Sequence, residues 1–120
     1  MATLVPLNTF KTITANVTTE STLLYTTPQE VASIILTAQV SNISNNDANV
    51  TFIHRSNVLF GGSRIITDTE LVNNFDIPKR DASSVIVGKI VLEEEQAVLI
   101  RGSANATLKV LLSLLETSLQ

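Results

Sequence analysis

The sequence offers one histidine, His54, and no cysteine, which removes most routes to nucleophilic catalysis. A Ser/His/Asp or Cys/His set needs a nucleophile, a base and an orienting group within reach. No Gly-x-Ser-x-Gly elbow accompanies the histidine. His54 alternates with Val50 and Phe52, so the expected role is structural, on a half-buried face. Glycoside hydrolysis needs two carboxylates facing each other across a cleft. Glu93, Glu94 and Glu95 are consecutive, and neighbours on a strand point to opposite faces. They read as a solvated connection that discourages edge pairing. They do not read as a calcium loop, which spaces its ligands and turns sharply at a glycine. Gly61-Gly62-Ser63 lacks the lysine signature of a phosphate loop and reads as a tight turn needing positive φ. Asn16-Val17-Thr18, Asn42-Ile43-Ser44, Asn49-Val50-Thr51 and Asn105-Ala106-Thr107 match glycosylation acceptors. No signal peptide is expected from Met1 to Pro6, so these triplets follow from an Asn- and Thr-rich composition. The expectation is a non-enzyme with no metal and no cofactor.

Charge and aromatic content exclude further classes. The net charge is −3 with 16% charged residues, and Lys79–Arg80 is the only adjacent basic pair. Nucleic-acid binding depends on clustered Lys and Arg, so no nucleic-acid partner is expected. Four Phe, one Tyr and no Trp cannot line a stacking platform for bases. No apolar run approaches the ~20 residues of a spanning helix. The richest, Leu108–Leu115, contains Lys109 and Ser113, so no membrane partner is expected either. A chain of 120 residues suits one domain, 1–120, able to bury about two thirds of its unfolded surface without disulfides.

The elements that would hold these residues read as strands. Thr, Val and Ile are frequent, and their β-branched side chains suit a pleated sheet. Lys11, Ile13, Ala15 and Val17 alternate with Phe10, Thr12, Thr14 and Asn16, as in a strand with one buried face. A short strand over Ser21–Thr27 ends at Pro28. Val31–Ile43 alternates throughout, with Ile34, Leu36, Ala38, Val40 and Asn42 on one side. Ser44–Ala48 is a polar turn and Asn49–Ser56 a further strand, which together predict a hairpin. Phe60–Ser63 is a loop, flanked by short strands over Arg64–Asp68 and Leu71–Ile77. Pro78–Asp81 is a polar break, Ser84–Leu92 a β run, Glu93–Gln96 a charged connection and Ala97–Arg101 an apolar strand. Leu108, Leu111, Leu112, Leu115 and Leu119 fall at helical spacing, yet Leu108, Val110, Leu112 and Leu114 also alternate. The preceding turn and β run favour a strand over 107–119. The sum is all-β: a single antiparallel β-sandwich, jelly-roll-like, of about eight short strands.

Three segments carry a resemblance. Leu23-Leu24-Tyr25-Thr26-Thr27-Pro28 leads directly into Val31-Ala32-Ser33-Ile34-Ile35-Leu36. Ala38-Gln39-Val40-Ser41-Asn42-Ile43-Ser44 precedes a polar turn and Val50-Thr51-Phe52. Lys89-Ile90-Val91-Leu92-Glu93-Glu94-Glu95-Gln96 precedes a strand, a Ser/Ala/Asn turn and a terminal Leu/Val strand ending at Leu115-Glu116. Over Thr22–Glu116 the chain resembles small β-sandwich structural proteins of tailed bacteriophages, of the cyanophage kind. It departs from them at Glu93–Gln96, where a glycine is expected after two acidic residues and Glu95 stands instead, leaving the turn type open. The resemblance implies a virion component assembled in the cytoplasm of an infected bacterial host. It would be a capsid decoration or cement protein, or a neck or tail subunit, and would act as a homo-oligomer on the major capsid protein or another virion protein.

Two segments suit such docking. Residues 1–8 are apolar around Pro6, and Leu4, Val5, Pro6 and Leu7 predict an N-terminal arm against a neighbour. Phe75, Ile77, Lys79 and Arg80 put apolar and basic groups in one loop. Intramolecular packing is the rival reading of each. From another class, the rival is a free-standing carbohydrate- or protein-binding module, against which the scarcity of Trp and Tyr argues.

Overall fold

A computed structural model describes residues 8–105 and 107–118, and within them every regular element is a β-strand. The strands are β1 (Asn8–Val17), β2 (Thr22–Thr26), β3 (Val31–Asn42), β4 (Ala48–Phe60), β5 (Ser63–Ile77), β6 (Ala82–Ser84), β7 (Ile90–Leu92), β8 (Ala97–Gly102) and β9 (Leu108–Ser118). They form two antiparallel sheets. One has the order β1-β9-β3-β6 with β7 also on β3, and the other runs β2-β8-β4-β5. The pairings nest: β1 with β9, β2 with β8, β3 with β6 and β7, β4 with β5. This is one long hairpin of four rungs rolled into two sheets, a jelly roll. The expected sandwich is found. The ninth strand arises because a single jelly-roll position is split into β6 and β7.

Alternation explains the core. Leu108, Val110, Leu112 and Leu114 of β9 are buried, as are Ile35, Ala38 and Val40 of β3. From the opposite sheet come Val50, Phe52, Val98 and Ile100. The C-terminal segment is therefore a strand, its leucines divided between core and outer face with period two. Gly102 lies tight against this layer, since a Cβ there would stand 2.9 Å from Val17 Cγ1.

Four expectations are corrected. Val31–Ile43 and Asn49–Ser56 are not a hairpin, because β3 and β4 belong to different sheets. Ser44–Asp47 carries the chain across the core. β3 pairs instead with β9, β6 and β7, and β4 with β8 and with β5, the strand that follows it. Second, Val31–Ile43 does not keep one face. The register shifts between Ile35 and Thr37, so Ser33 and Ile35 point inward before the shift and Ala38, Val40 and Asn42 after it. Third, Phe60–Ser63 is no loop between short strands. Gly61 and Gly62 have φ of 61° and 81°, the positive values a two-residue I′ hairpin turn demands. β5 runs unbroken for 15 residues, accommodating its irregular pattern through register shifts near Val72 and Phe75. Fourth, Ser84–Leu92 is interrupted. Val85 and Ile86 drop into the core while Val87 is fully exposed, and Gly88 turns back at φ 75°.

Asn42 fixes the crossing from β3 to β4. Its side chain is 2% exposed. Nδ2 donates to Asn46 O (2.8 Å) and Ile77 O (3.0 Å). Oδ1 accepts from the amide and hydroxyl of Ser44. Removing it strands the buried Ile77 carbonyl. Asn42→Ala is expected to lower stability by about 2–3 kcal/mol, read as a shifted urea midpoint at unchanged slope. Exposed Asn45→Ala should cost under ~0.5 kcal/mol.

Candidate functional site

β8 accompanies β4 only as far as the Arg55–Ala97 pair. Beyond it β4 and β5 continue as a bare two-stranded ribbon to the Gly61–Gly62 turn, regularly paired from Arg55↔Asp68 to Phe60↔Ser63. The five further pairs project about 17 Å at ~3.3 Å per residue. Cross-strand partners share a face. Val58, Phe60 and Ile65 therefore lie on one side, and Leu59 and Ile66 on the other, with Arg64 and Asn57. All five large apolar side chains are exposed, Phe60 at 71%. Arg55 grips Asp68 through Nε–Oδ1 (2.7 Å) and Nη2–Oδ2 (2.9 Å). This raises the guanidinium pKa and holds the carboxyl below its usual value. Arg64 reaches Glu95 at 2.7 Å and ties the ribbon to the β7–β8 turn.

Each sheet also has an apolar row on its outer face. Phe10, Leu115, Ile34 and Val91 stand in register across β1, β9, β3 and β7, with Phe10 and Val91 the most exposed. Leu23, Leu99 and Ile53 stand in register across β2, β8 and β4, but Leu99 and Ile53 are buried and only Leu23 is exposed. Further along the first sheet, Thr14, Asn16, Gln39, Ser41, Lys109 and Leu111 line an open depression of about 500 Å³. Among the described residues no group of three or more His, Asp or Glu could hold a metal ion.

The residues singled out from sequence separate in space. Leu4, Val5, Pro6 and Leu7 lie outside the described residues. Ile77 is withdrawn from the surface: it has no exposed area and packs in the core, because it pairs with buried Ala48. Phe75 is 36% exposed at the rim. Lys79 and Arg80 are exposed but held down, Lys79 N on Asp47 Oδ1 (2.9 Å) and Arg80 Nε on Asn45 Oδ1 (2.7 Å). His54 is half-buried, in register with core Val98. The ribbon was missed. The usable signal was two apolar-containing runs around Gly61–Gly62, a two-residue hairpin signature.

One polar group is strongly perturbed. Tyr25 OH donates to Glu116 Oε2 at 2.5 Å and lies 2.6 Å from Ser33 Oγ, while Glu116 Oε1 meets Lys11 Nζ at 3.2 Å. Burial, with the hydrogen bond to Glu116 second, pushes the phenol up to about 12. The cluster closes one end of the core.

No protein-family model and no curated protein matches the sequence. Solved structures do. One from Bacillus endospore appendages, described as disulfide-linked pili, matches with a TM-score of 0.53 and 12% identity over 94% of this chain and 88% of that one. A protein of the T13 IBDV viral particle, an icosahedral virus, matches with a TM-score of 0.55 and 11% identity over 94% of this chain. The match spans 31% of the IBDV chain. At such identities the likeness establishes the fold. Without cysteine, this sequence cannot form the disulfide links named for the pili.

The Tyr25 cluster sets an alkaline limit. The folded pKa is raised, so the folded state holds the phenolic proton through a range where the unfolded chain has released it. The contribution is intact below about pH 10, the unfolded value, and is lost as pH rises through about 12. The urea midpoint should fall over that window, and Tyr25→Phe should flatten the fall. Because Tyr25 is the sole tyrosine, phenolate absorbance reads its titration directly.

Proposed function

We propose that the chain is a non-enzymatic structural subunit of a tailed-phage virion, most concretely a capsid decoration protein that docks on the shell and reinforces it. A neck or tail subunit is the second placement. The observation that carries this reading is the β4–β5 ribbon. Five large apolar side chains on a projecting arm stay exposed among the described residues, and such patches mark protein–protein contact. The fold supports it, being shared with a pilus and a viral particle. The resemblance over Thr22–Glu116 supplies the phage. No nucleic acid, membrane or cofactor enters the reading. A carbohydrate-binding module is the rival that the depression around Lys109 favours, although no aromatic lines it.

Mass spectrometry of purified virions should find this protein in many copies, and its absence would remove the reading. Copy number against the major shell protein separates decoration from neck or tail. In cosedimentation with shells lacking the protein, Val58→Ser/Phe60→Ser should reduce occupancy at least tenfold with unchanged melting. Full occupancy would clear the ribbon of that role. Competable binding on a glycan array would favour the module.

A further inference from the structure

Among the described residues each sheet ends in two edges with no further strand beside them, and the four are not equivalent. β2 is five residues long, and β6 and β7 are three each, too short to template a neighbour. β1 is long and regular, but its single charge, Lys11, lies on the inner side against Glu116. It offers no charge pattern that selects a register. β5 is different. Among the described residues no strand lies on its far side. Register shifts near Val72 and Phe75, with Asn74 at φ 51°, kink its C-terminal half. Only Ser63–Glu70 remains straight, with every side chain exposed.

That window is self-complementary. An isologous antiparallel pair has a two-fold axis through a residue facing its own copy, so each register is fixed by its central residue. With Ile66 on the axis, Arg64 faces the second copy's Asp68, and Asp68 faces its Arg64. Ile65 faces Thr67, and Ser63 faces Thr69. Two opposite-charge pairs flank one apolar self-pair, and all three lie on the same face. Opposite charges across strands favour pairing and like charges oppose it. Moving the axis to Thr67 sets Arg64 against Glu70 but leaves Asp68 against Ile66 and diagonal to its own copy, and moving it to Ile65 sets Arg64 against Ile66. Arg55 already sits on the other side of Asp68. Arg64 meets Glu95 of its own chain through Nη1, so in the Ile66 register the ladder of alternating charge that crosses from β4 of one copy to the next copy runs Arg55–Asp68–Arg64–Glu95.

We infer that two copies of this chain pair through β5, edge to edge and antiparallel, with Ile66 on the two-fold axis. The pairing joins the two β2-β8-β4-β5 sheets into one continuous eight-stranded sheet. It consumes the longest open edge in a closed contact, so it ends at a dimer. It leaves the Val58–Phe60–Ile65 face of each ribbon free. This inference deepens the structural-subunit reading and rests on it only for its purpose, since the pairing belongs to the isolated chain.

The absence of cysteine makes the register readable by crosslinking. Opposed Cα atoms in an antiparallel pair lie about 4.5–5.5 Å apart, inside disulfide range. Under mild oxidation Ile66→Cys should form a covalent dimer in high yield. Ser63→Cys alone and Thr69→Cys alone should not, their copies being about 20 Å apart at ~3.3 Å per residue. The two mixed should form the heterodimer. Sedimentation of the unaltered chain should show a dimer. Arg64→Asp, which sets like charges opposite each other, should weaken it at least tenfold while circular dichroism stays that of the folded chain. A monomer at all concentrations, or Ile66→Cys crosslinking no better than Ser63→Cys, would overturn the inference. A dimer found together with absence from virions would leave the pairing standing and remove the proposed function.

Discussion

The sandwich depends on β9 lying between β1 and β3. Nearly every long pairing in its sheet is made with this last strand: ten residues of β1 on one side, eleven of β3 on the other. Its inward residues, Leu108 to Leu114, face the opposite sheet, and the same face then runs into Glu116. A carboxylate at the end of a core stripe is costly unless charge and hydrogen bonds meet it. Lys11 of β1, and Tyr25 of β2 backed by Ser33 of β3, supply both. Because Tyr25 belongs to the other sheet, the device that makes Glu116 tolerable also clamps the layers together. None of this forms until residues about a hundred positions apart have met, and such non-local topologies fold slowly.

This dependence explains what was legible in the sequence. Class and architecture were, because a strand with one buried face prints its period locally. Partners were not. β3 and β4 look like a hairpin, since alternation, an Asn/Asp turn and alternation again are what a hairpin shows. The turn instead crosses the core, and only the distant competitors β9 and β8 reveal it. Faces were readable up to the first bulge. Leu36 alternates in sequence with Ala38 and Val40, yet one displaced residue reverses the face on either side of it. Ile77 looked like part of a docking loop because Pro78 and Lys79 follow it. Its burial is decided by Ala48, 29 positions earlier in the chain. The ribbon was hidden for the opposite reason: apolar residues beside a Gly-Gly turn read as framework, and only the early end of β8 shows that no third strand accompanies them among the described residues.

The Glu93–Gln96 turn shows how one local departure became a junction. Where the resemblance anticipates glycine, Glu95 has φ 65°, a region that costs a side-chain-bearing residue about 1–2 kcal/mol. The turn closes conventionally, Gln96 N donating to Glu93 O at 3.1 Å. What a glycine could not supply is the carboxylate. Its Oε1 accepts from Gln29 at 2.8 Å and its Oε2 faces Arg64 at 2.7 Å, while its amide donates to Thr27 O. The residue therefore joins the β2–β3 connection to the ribbon. An exposed ion pair contributes modestly, but here it joins the sandwich to an arm that no third strand accompanies among the described residues.

That restraint bears on why the ribbon exists. A two-stranded hairpin is marginal in water without a layer to pack on, and long exposed apolar strands invite aggregation. Among the described residues none of 56–67 joins the core: the nearest residues of these strands that pack in or against it are Phe52 and Val72, and β4 leaves β8 at Arg55. A chain shaped only by folding would turn at that point. Instead it carries five more pairs, closes them with two glycines in strained-for-others geometry, pins them with Arg55–Asp68 and Arg64–Glu95, and loads them with Val, Leu, Phe and Ile. Each of these choices lowers solubility or leaves the core unchanged. Their common consequence is an apolar arm braced by two ion pairs, whose exposed side chains gain little from the folding of the described residues.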